Sequence, residues 1–338
     1  MIQDLPSVPE GRPDRRHVVG YLCAALCTAS AVMNVRPSSA AWPDRPIRLV
    51  VPFGAGGPPD FVARVLAEPL AAEMGGTVIV ENRPGAGGTV GVMSVSRAAP
   101  DGYSLLIGTS AYVLNKALND QLGYDPVKDF TPICEIADAP NVFSVSAKLG
   151  VNTIKEFVEY ARKHPTNLNY SSPGTGTTPQ LACELLRARA GIAIEHVPYN
   201  SGPQAVQALL SGLVQLFCSA VPLVQSHVAA GTVKALAVTS ARRWRGMPDV
   251  PTMAEAGFDN FILDTMAMLA GPAKMPPDIV DRLYKATQAA LAKPAVSQVL
   301  EVGGFDVVAR SPEQLAARIS SEVTMWNDVV TVIGLKRK

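Results

Sequence analysis

Apolar and polar positions fall into blocks that predict strand, glycine-rich loop and helix, in that order and more than once. Ile47 to Val51 is a β-branched apolar run that stops at Pro52. Three glycines follow, Gly54, Gly56 and Gly57, and a helical pattern restarts at Phe61, Val62, Val65 and Leu66. The helix is expected from Asp60 to about Met74, kinked or shortened by Pro69. A strand over 77–81, a second glycine-rich turn over 82–88, a helix over 91–98, a strand over 103–108 and a short helix over 110–118 come next. The extended stretch 133–147, broken at Pro140, suits a crossing between domains.

The cycle then repeats. Thr153-x-x-Glu156 is a capping box for a helix ending at His164-Pro165. Leu168 to Ser171 is a strand, and Pro173 to Thr178 is a third glycine-rich loop opening a helix with Leu181, Leu185 and Leu186. Strand, helix and strand follow at 195–199, 203–212 and 214–218, and Val233 to Ser240 is a strand long enough to return to the first domain. Later come a loop with a short helix over 248–258, a strand over 261–271 and a helix from Pro276-Pro277-Asp278. Ser311-Pro312-Glu313-Gln314 is a second capping box, for a terminal helix with Leu315, Ile319, Val323, Trp326 and Val330 on one face. Alternating strands and helices predict an α/β protein whose sheet is largely parallel and covered on both faces.

The glycine loops carry the candidate chemistry. A loop that lets bare backbone approach a ligand, followed by the positive end of a helix dipole, attracts an anion. The stretch Phe53, Gly54, Ala55, Gly56, Gly57 and Asp60 is one such cradle; Ser172, Gly174, Thr175, Gly176 and Thr177 form a matching second one. Ordinary βα turns are the competing reading, but two cradles facing each other across a cleft would clamp one anion. The first loop has Pro59 where a dinucleotide fingerprint needs glycine, and it lacks the Gly-Lys-Ser/Thr ending of a P-loop. A small carboxylate therefore fits better than nucleotide phosphate.

Charge narrows the partners. Lys and Arg number 30 against 29 Asp and Glu, so nothing marks a nucleic-acid or anionic-membrane surface. With 338 residues there is room for two domains. The first 41 residues stand apart. Arg12, Arg15 and Arg16 precede an uncharged run from Val18 to Val35, and the segment closes on Ser38-Ser39-Ala40-Ala41. This reads as a secretory signal cleaved before Trp42; a retained anchor is the alternative, and Arg15-Arg16 hints at twin-arginine export. Cys134, Cys183 and Cys218 remain after cleavage, with no metal spacing, and one disulfide among them is open. His164, His196 and His227 lack partners at a spacing that suggests a general base, and no Gly-x-Ser-x-Gly, Ser-x-x-Lys or His-Glu-x-x-His occurs. This favours a binder over an enzyme, with no cofactor and no metal.

Several motifs in fixed order resemble one family. Trp42-Pro43-Asp44-Arg45-Pro46-Ile47-Arg48-Leu49-Val50-Val51-Pro52-Phe53, with Gly56-Gly57 and Asp60, looks like the mature start of the Bug solute-binding proteins, the extracytoplasmic receptors of tripartite tricarboxylate transporters. Val80 to Gly88, Ala99-Pro100-Asp101-Gly102-Tyr103, Tyr124 to Phe130, Pro198-Tyr199 and Pro251 to Gly257 extend the likeness over essentially all of residues 42 to 330. The resemblance implies a two-domain, type II periplasmic-binding-protein-like fold with the ligand cleft between domains. One domain would take 42–136 plus 240–338 and the other 137–239. It also implies that the two cradles hold a ligand carboxylate from opposite domains, partly through water.

Departures from the family pattern bear on specificity. Tyr112-Val113-Leu114-Asn115 stands where many relatives carry His-Ala-Ile-Asn, Gln180 replaces a common histidine, and Thr265 to Met268 replaces an aromatic pair. Ser219 stands where an acid is usual, which would leave an amino acid's ammonium group unpaired. Tyr112, Ser219 and the 265–268 stretch are therefore the expected specificity residues. The expected function is that of a monomeric periplasmic receptor that captures a small organic acid for membrane transporter subunits. The rival readings are a receptor that presents its closed form to a sensor kinase, and a secreted α/β enzyme.

Overall fold

The structure, a computed structural model, describes residues 42–166 and 168–335, so the expected leader over 1–41 lies outside the described residues. The chain opens as β1 (Ile47–Val51), α1 (Pro58–Met74), β2 (Val78–Asn82), α2 (Thr89–Ser96), β3 (Ser104–Thr109) and α3 (Ala111–Leu118). Then come β4 (Phe130–Ala139), β5 (Asn141–Ser146), α4 (Ile154–Lys163), β6 (Asn169–Ser172), α5 (Thr178–Ala190), β7 (Glu195–Pro198), α6 (Gly202–Ser211) and β8 (Leu216–Ala220). The last elements are α7 (Gln225–Ala229), β9 (Val233–Val238), β10 (Thr265–Pro272), α8 (Pro277–Leu291), α9 (Pro294–Val302), β11 (Asp306–Arg310) and α10 (Pro312–Ile333).

Two sheets result. The first has the order β11-β4-β10-β3-β1-β2 and the second β7-β6-β8-β5-β9. Neither is largely parallel, contrary to expectation. In the first, β2, β1 and β3 are parallel, but β10 runs antiparallel between β3 and β4, and β11 is antiparallel to β4. In the second, β6 is parallel to β7 and β8, and β5 is antiparallel to β8 and β9. The physical reason is the pair of crossings. β4 leaves the first sheet at Ala139 and becomes β5 of the second one residue after Pro140, so each sheet receives a strand without the helical crossover that parallel pairing requires. β9 does not itself return; it stays at the edge of the second sheet, and residues 239–264 carry the chain back to β10.

Hydrogen bonds tie the crossings together. Thr239 donates its N–H to Asn141 O at 2.8 Å, and its hydroxyl donates to Leu263 O at 3.0 Å. Asn141 Nδ2 donates to Leu263 O, and Thr265 Oγ1 donates to Asn141 Oδ1 at 3.2 Å.

Local signals hold where a side chain can reach a free backbone group. Ser311 Oγ accepts from Gln314 N at 3.3 Å and Gln314 Oε1 accepts from Ser311 N at 3.0 Å, a complete capping box. Thr153 Oγ1 accepts from Glu156 N, whereas Glu156 reaches one residue further back, to Asn152 N. Pro69 does not break α1, which runs on to Met74 with Leu66, Leu70 and Met74 buried on either side of it and ends at Gly75 in the left-handed region, φ 67°. No helix forms over 248–258, where the chain makes turns. Helix α9 and strand β11 were not expected from the sequence pattern.

A charge cluster pins the far edge of the first sheet. Glu135 and Asp138 on β4 both pair with Arg310 of β11, at 2.5 and 3.2 Å, and with Arg318 of α10; Arg318 also binds Glu322 at 3.0 Å. Tyr112 is 1% exposed, inside the core. Its ring stacks on Tyr124 and meets the edge of Phe130, its hydroxyl donates to Pro126 O, and its own carbonyl accepts from Tyr124 Oη. Cys134, Cys183 and Cys218 are buried free thiols.

Candidate functional site

The loops after β1, β2, β3, β6, β7 and β8 that build most of the site follow the carboxyl ends of parallel strands, where α/β sheets hold their ligands. The loop after β1 faces the loop after β6, so the two cradles expected from the glycine pattern lie side by side. Between them is a cavity of about 50 Å³ lined by Phe53, Gly54, Gly57, Pro58 and Pro59 at the start of α1 and by Pro173, Thr177, Thr178 and Pro179 at the start of α5. Thr109, Ala111, Ala220 and Thr265 complete its wall. Phe53 and Pro173 also line a second, larger cavity of about 690 Å³, whose other walls come from residues 84–89, Asn115, Leu118, residues 174–176 and Tyr199-Asn200.

The positive ends of two helix dipoles therefore converge on one small cavity. The donor count is lower than helix geometry alone gives, because Pro58, Pro59 and Pro179 have no N–H. The dipoles survive, since they belong to the whole stack of peptides. Of the four threonines that line the small cavity, Thr177 and Thr265 already donate their hydroxyls, to Gly174 O and Asn141 Oδ1, which leaves those of Thr109 and Thr178 to make up part of the difference.

Side chains set both loops. Asp60, almost fully buried, accepts from Gly56 N at 2.9 Å and from Arg64 Nε at 2.9 Å through Oδ2, and from Asn82 Nδ2 at 2.9 Å through Oδ1. Burial opposes its charge, but these three partners outweigh burial and hold the carboxyl below the usual carboxylate range. In the second loop, Gln180 Oε1 accepts from Gly176 N at 2.7 Å and Thr177 Oγ1 donates to Gly174 O at 2.8 Å. Ser172 Oγ accepts from Gly174 N at 3.2 Å and lies 2.7 Å from His196 Nε2. Burial pushes His196 below its ordinary pKa despite Glu184 nearby. The neutral ring thus donates from Nε2 to Ser172, leaving Nδ1 to face Gln180 Nε2 at 3.4 Å.

Of the residues expected from sequence, Phe53, Gly54, Gly57 and Thr177 line the small cavity, and Phe53, Gly174, Thr175 and Gly176 the large one. Asp60, Gly56 and Ser172 hold the loops from behind, and Ala55 is exposed beside them. Two specificity residues are placed elsewhere. Tyr112 is in the aromatic core because α3 turns that face inward, and Ser219 points away from the cavity's wall residue Ala220 because successive residues of β8 lie on opposite faces. Thr109, Ala111 and Ala220 were missed, and their position at or just after strand carboxyl ends was the signal available; Thr178 closes the glycine-rich loop expected from the sequence. Among the described residues no group of acidic, histidine or cysteine side chains could hold a metal, and no helix is long and apolar enough to cross a membrane.

Two mixed sheets joined by two crossings, with loops from both closing on one cleft, define a two-domain type II periplasmic-binding-protein-like fold. Solved structures agree with this: that of the periplasmic binding protein BugD superposes with a TM-score of 0.84 at 35% identity, covering 88% of this chain and 100% of that one. MatC from Rhodopseudomonas palustris with bound malate superposes at 0.82 with 33% identity, covering 86% and 100%. BugT of Bordetella pertussis (strain Tohama I) is 32% identical over 323 residues, 95% of this chain and 98% of that protein. Residues 62–335 match the family described as tripartite tricarboxylate transporter family receptor, and the chain belongs to that family.

Proposed function

We propose that this protein is a periplasmic receptor that captures a small carboxylate in the cleft between its sheets and presents it to a tripartite transporter in the membrane, without chemical change to the ligand. The convergence of α1 and α5 on one small, uncharged cavity carries the reading, because it supplies positive potential to an anion from both sides of the cleft. The domains in this reading are 42–136 plus 240–338, built on the first sheet, and 137–239, built on the second. Phe53, Gly54, Gly57, Thr177 and Thr178 act at the carboxylate; Gly174, Thr175 and Gly176 act at the ligand body. Membership of a receptor family and likeness to periplasmic binding proteins support capture, location and the transporter partner. An ammonium group finds no carboxylate among the described residues that line either cavity, so amino acids are poor ligands, and this no longer depends on Ser219.

Titration calorimetry against mono-, di- and tricarboxylates tests the proposal. At least one acid binds at one site per chain with a dissociation constant in the micromolar range or below, and is recovered intact. Thr178→Asp puts an acid into the first turn of α5, where it suits the helix but repels the ligand, and weakens that binding by about 100-fold or more, equivalent to roughly 3 kcal/mol. A panel in which no acid binds, or a variant that binds as well as the parent, overturns it.

A further inference from the structure

His196 is not on the wall of either cavity, yet both of its ring nitrogens are engaged with the loop that is. Nε2 lies 2.7 Å from Ser172 Oγ, which accepts from Gly174 N; Nδ1 faces Gln180 Nε2 at 3.4 Å, and Gln180 Oε1 accepts from Gly176 N. One imidazole therefore closes a chain of hydrogen bonds that starts at one end of the stretch 174–176 and returns to the other. Gly174 and Gly176 have φ of 143° and 80°, so the stretch has little local preference to hold it and depends on such bonds. Thr175, between them, is the residue whose carbonyl oxygen comes up against Gly87 of the first half.

The surroundings of the ring keep it neutral. Tyr170 of β6 stacks on it with ring centroids 4.9 Å apart. Glu184 of α5 draws a proton toward it while accepting from Tyr170 Oη at 2.5 Å and from Arg187 Nε at 2.7 Å. Glu195, next to it on β7, lies on the opposite face of the strand. Burial outweighs Glu184 and holds the ring below the ordinary histidine range. Once protonated, the ring carries hydrogens on both nitrogens, and Nδ1 meets the amide nitrogen of Gln180 donor to donor. If Gln180 turns its oxygen to the ring, its nitrogen meets Gly176 N instead. Either way one end of the chain is lost.

We propose that His196 is a positioning residue for ligand capture: its neutral ring, acting through Ser172 and Gln180, holds residues 174–176 in place on the cavity wall and against the first half, and a proton on the ring lets them go. The inference rests on the receptor reading above and adds a control on the same site. The ring acts through hydrogen bonds and not through its charge, so acid weakens binding, whereas a positive charge beside an anion would strengthen it.

Calorimetry from pH 7.5 to pH 5.0 decides it, with whichever of acetate, benzoate, succinate, malate, adipate and citrate binds most tightly and with that acid's own ionisation subtracted. The parent's affinity falls by about threefold or more over this range as the neutral fraction of the ring shrinks. His196→Phe keeps a flat ring against Tyr170 and removes both nitrogens. It binds about tenfold or more weakly than the parent at pH 7.5, and its affinity changes by less than about twofold with pH. A parent affinity that holds or rises toward pH 5.0, a variant that binds as the parent does, or a variant with the parent's pH profile overturns the inference and leaves the receptor reading standing. Should His196→Phe not fold, nuclear magnetic resonance of the parent's His196 ring decides. By linkage its titration midpoint falls on saturation with the acid, and an unmoved or raised midpoint overturns the inference. Binding by none of the six acids overturns both readings.

Discussion

Gly87 lies where a loop of the first sheet meets the loop of the second at Thr175. Its φ of 63° is left-handed, and a Cβ added there would run into the carbonyl oxygen of Thr175, well inside van der Waals distance. The obstacle is backbone, so it cannot swing aside as a side chain could. Gly87→Ala is therefore relieved by opening the cleft, with about 1–2 kcal/mol of left-handed strain besides. The variant is expected to lose at least tenfold in ligand affinity while its melting temperature without ligand falls by only a few degrees. A large loss of stability with normal affinity, measured by calorimetry and thermal melting, would show that Gly87 serves the fold and not the closed cleft. At this scale the glycines of the two cradles were legible in the sequence, since their spacing after a strand is itself the loop. What Asp60 does was not. Its acid sits at the first turn of a helix as a ligand group might, but only the fold brings Gly56 N, Arg64 and Asn82 to it and uses up both oxygens.

Among elements, those with a repeating apolar face or a cap were legible, and those held by partners far along the chain were not. β1, β3 and α10 follow directly from apolar periodicity and capping. β11 is a half-exposed strand, Asp306-Val307-Val308-Ala309-Arg310, whose place is set by Arg310 reaching Glu135 and Asp138 some 170 positions earlier in the chain, a pairing invisible to local pattern. The antiparallel course of β10 likewise depends on where residues 239–264 deliver the chain. That delivery point holds a titratable group. Asp264 precedes β10, its carboxylate accepts from Thr239 Oγ1 at 3.4 Å, and burial, with Asp138 adding repulsion, pushes it up to about 7 against the pull of Arg318. Its folded value lies above the unfolded one, so the folded state holds a proton that the unfolded state releases between pH 4 and 7. Stability from this group is full below about pH 4 and declines as pH rises to 7. Asp264→Asn keeps an acceptor for Thr239 and removes the titration. It should be more stable than the parent by up to about 4 kcal/mol at pH 7.5, with the difference shrinking toward pH 4. Melting curves of both proteins across that range check it; a difference independent of pH assigns the effect to packing instead.

For the whole molecule, the two crossings and the close loops make one mechanical statement. Among the described residues two covalent connections link the sheets, at Pro140 and over 239–264, and both pass through the hydrogen-bonded knot of Asn141, Thr239, Leu263 and Thr265. On the other side of the cavities the loops are in contact: Gly87 against Thr175, Gly176 against Asn115, Gly54 against Asn200 and Ser201. A body tied by two crossings and touching across the cavities through loops can open as hinged receptors do, at the cost of the apolar packing the halves share, since one buried cluster holds Leu118 and Trp326 of the first together with Phe143 and Leu181 of the second. What keeps it shut is a ligand that touches both sides, because only the closed arrangement lets α1 and α5 act on the same anion. Small-angle scattering is expected to show a larger radius of gyration for the ligand-free protein than for the protein saturated with the acid that calorimetry identifies. Gly87→Ala should stay near the larger value at ligand concentrations that close the parent. Identical curves for the free and saturated parent would mean that the loops hold one another without help, and that binding energy is not used to close the cleft.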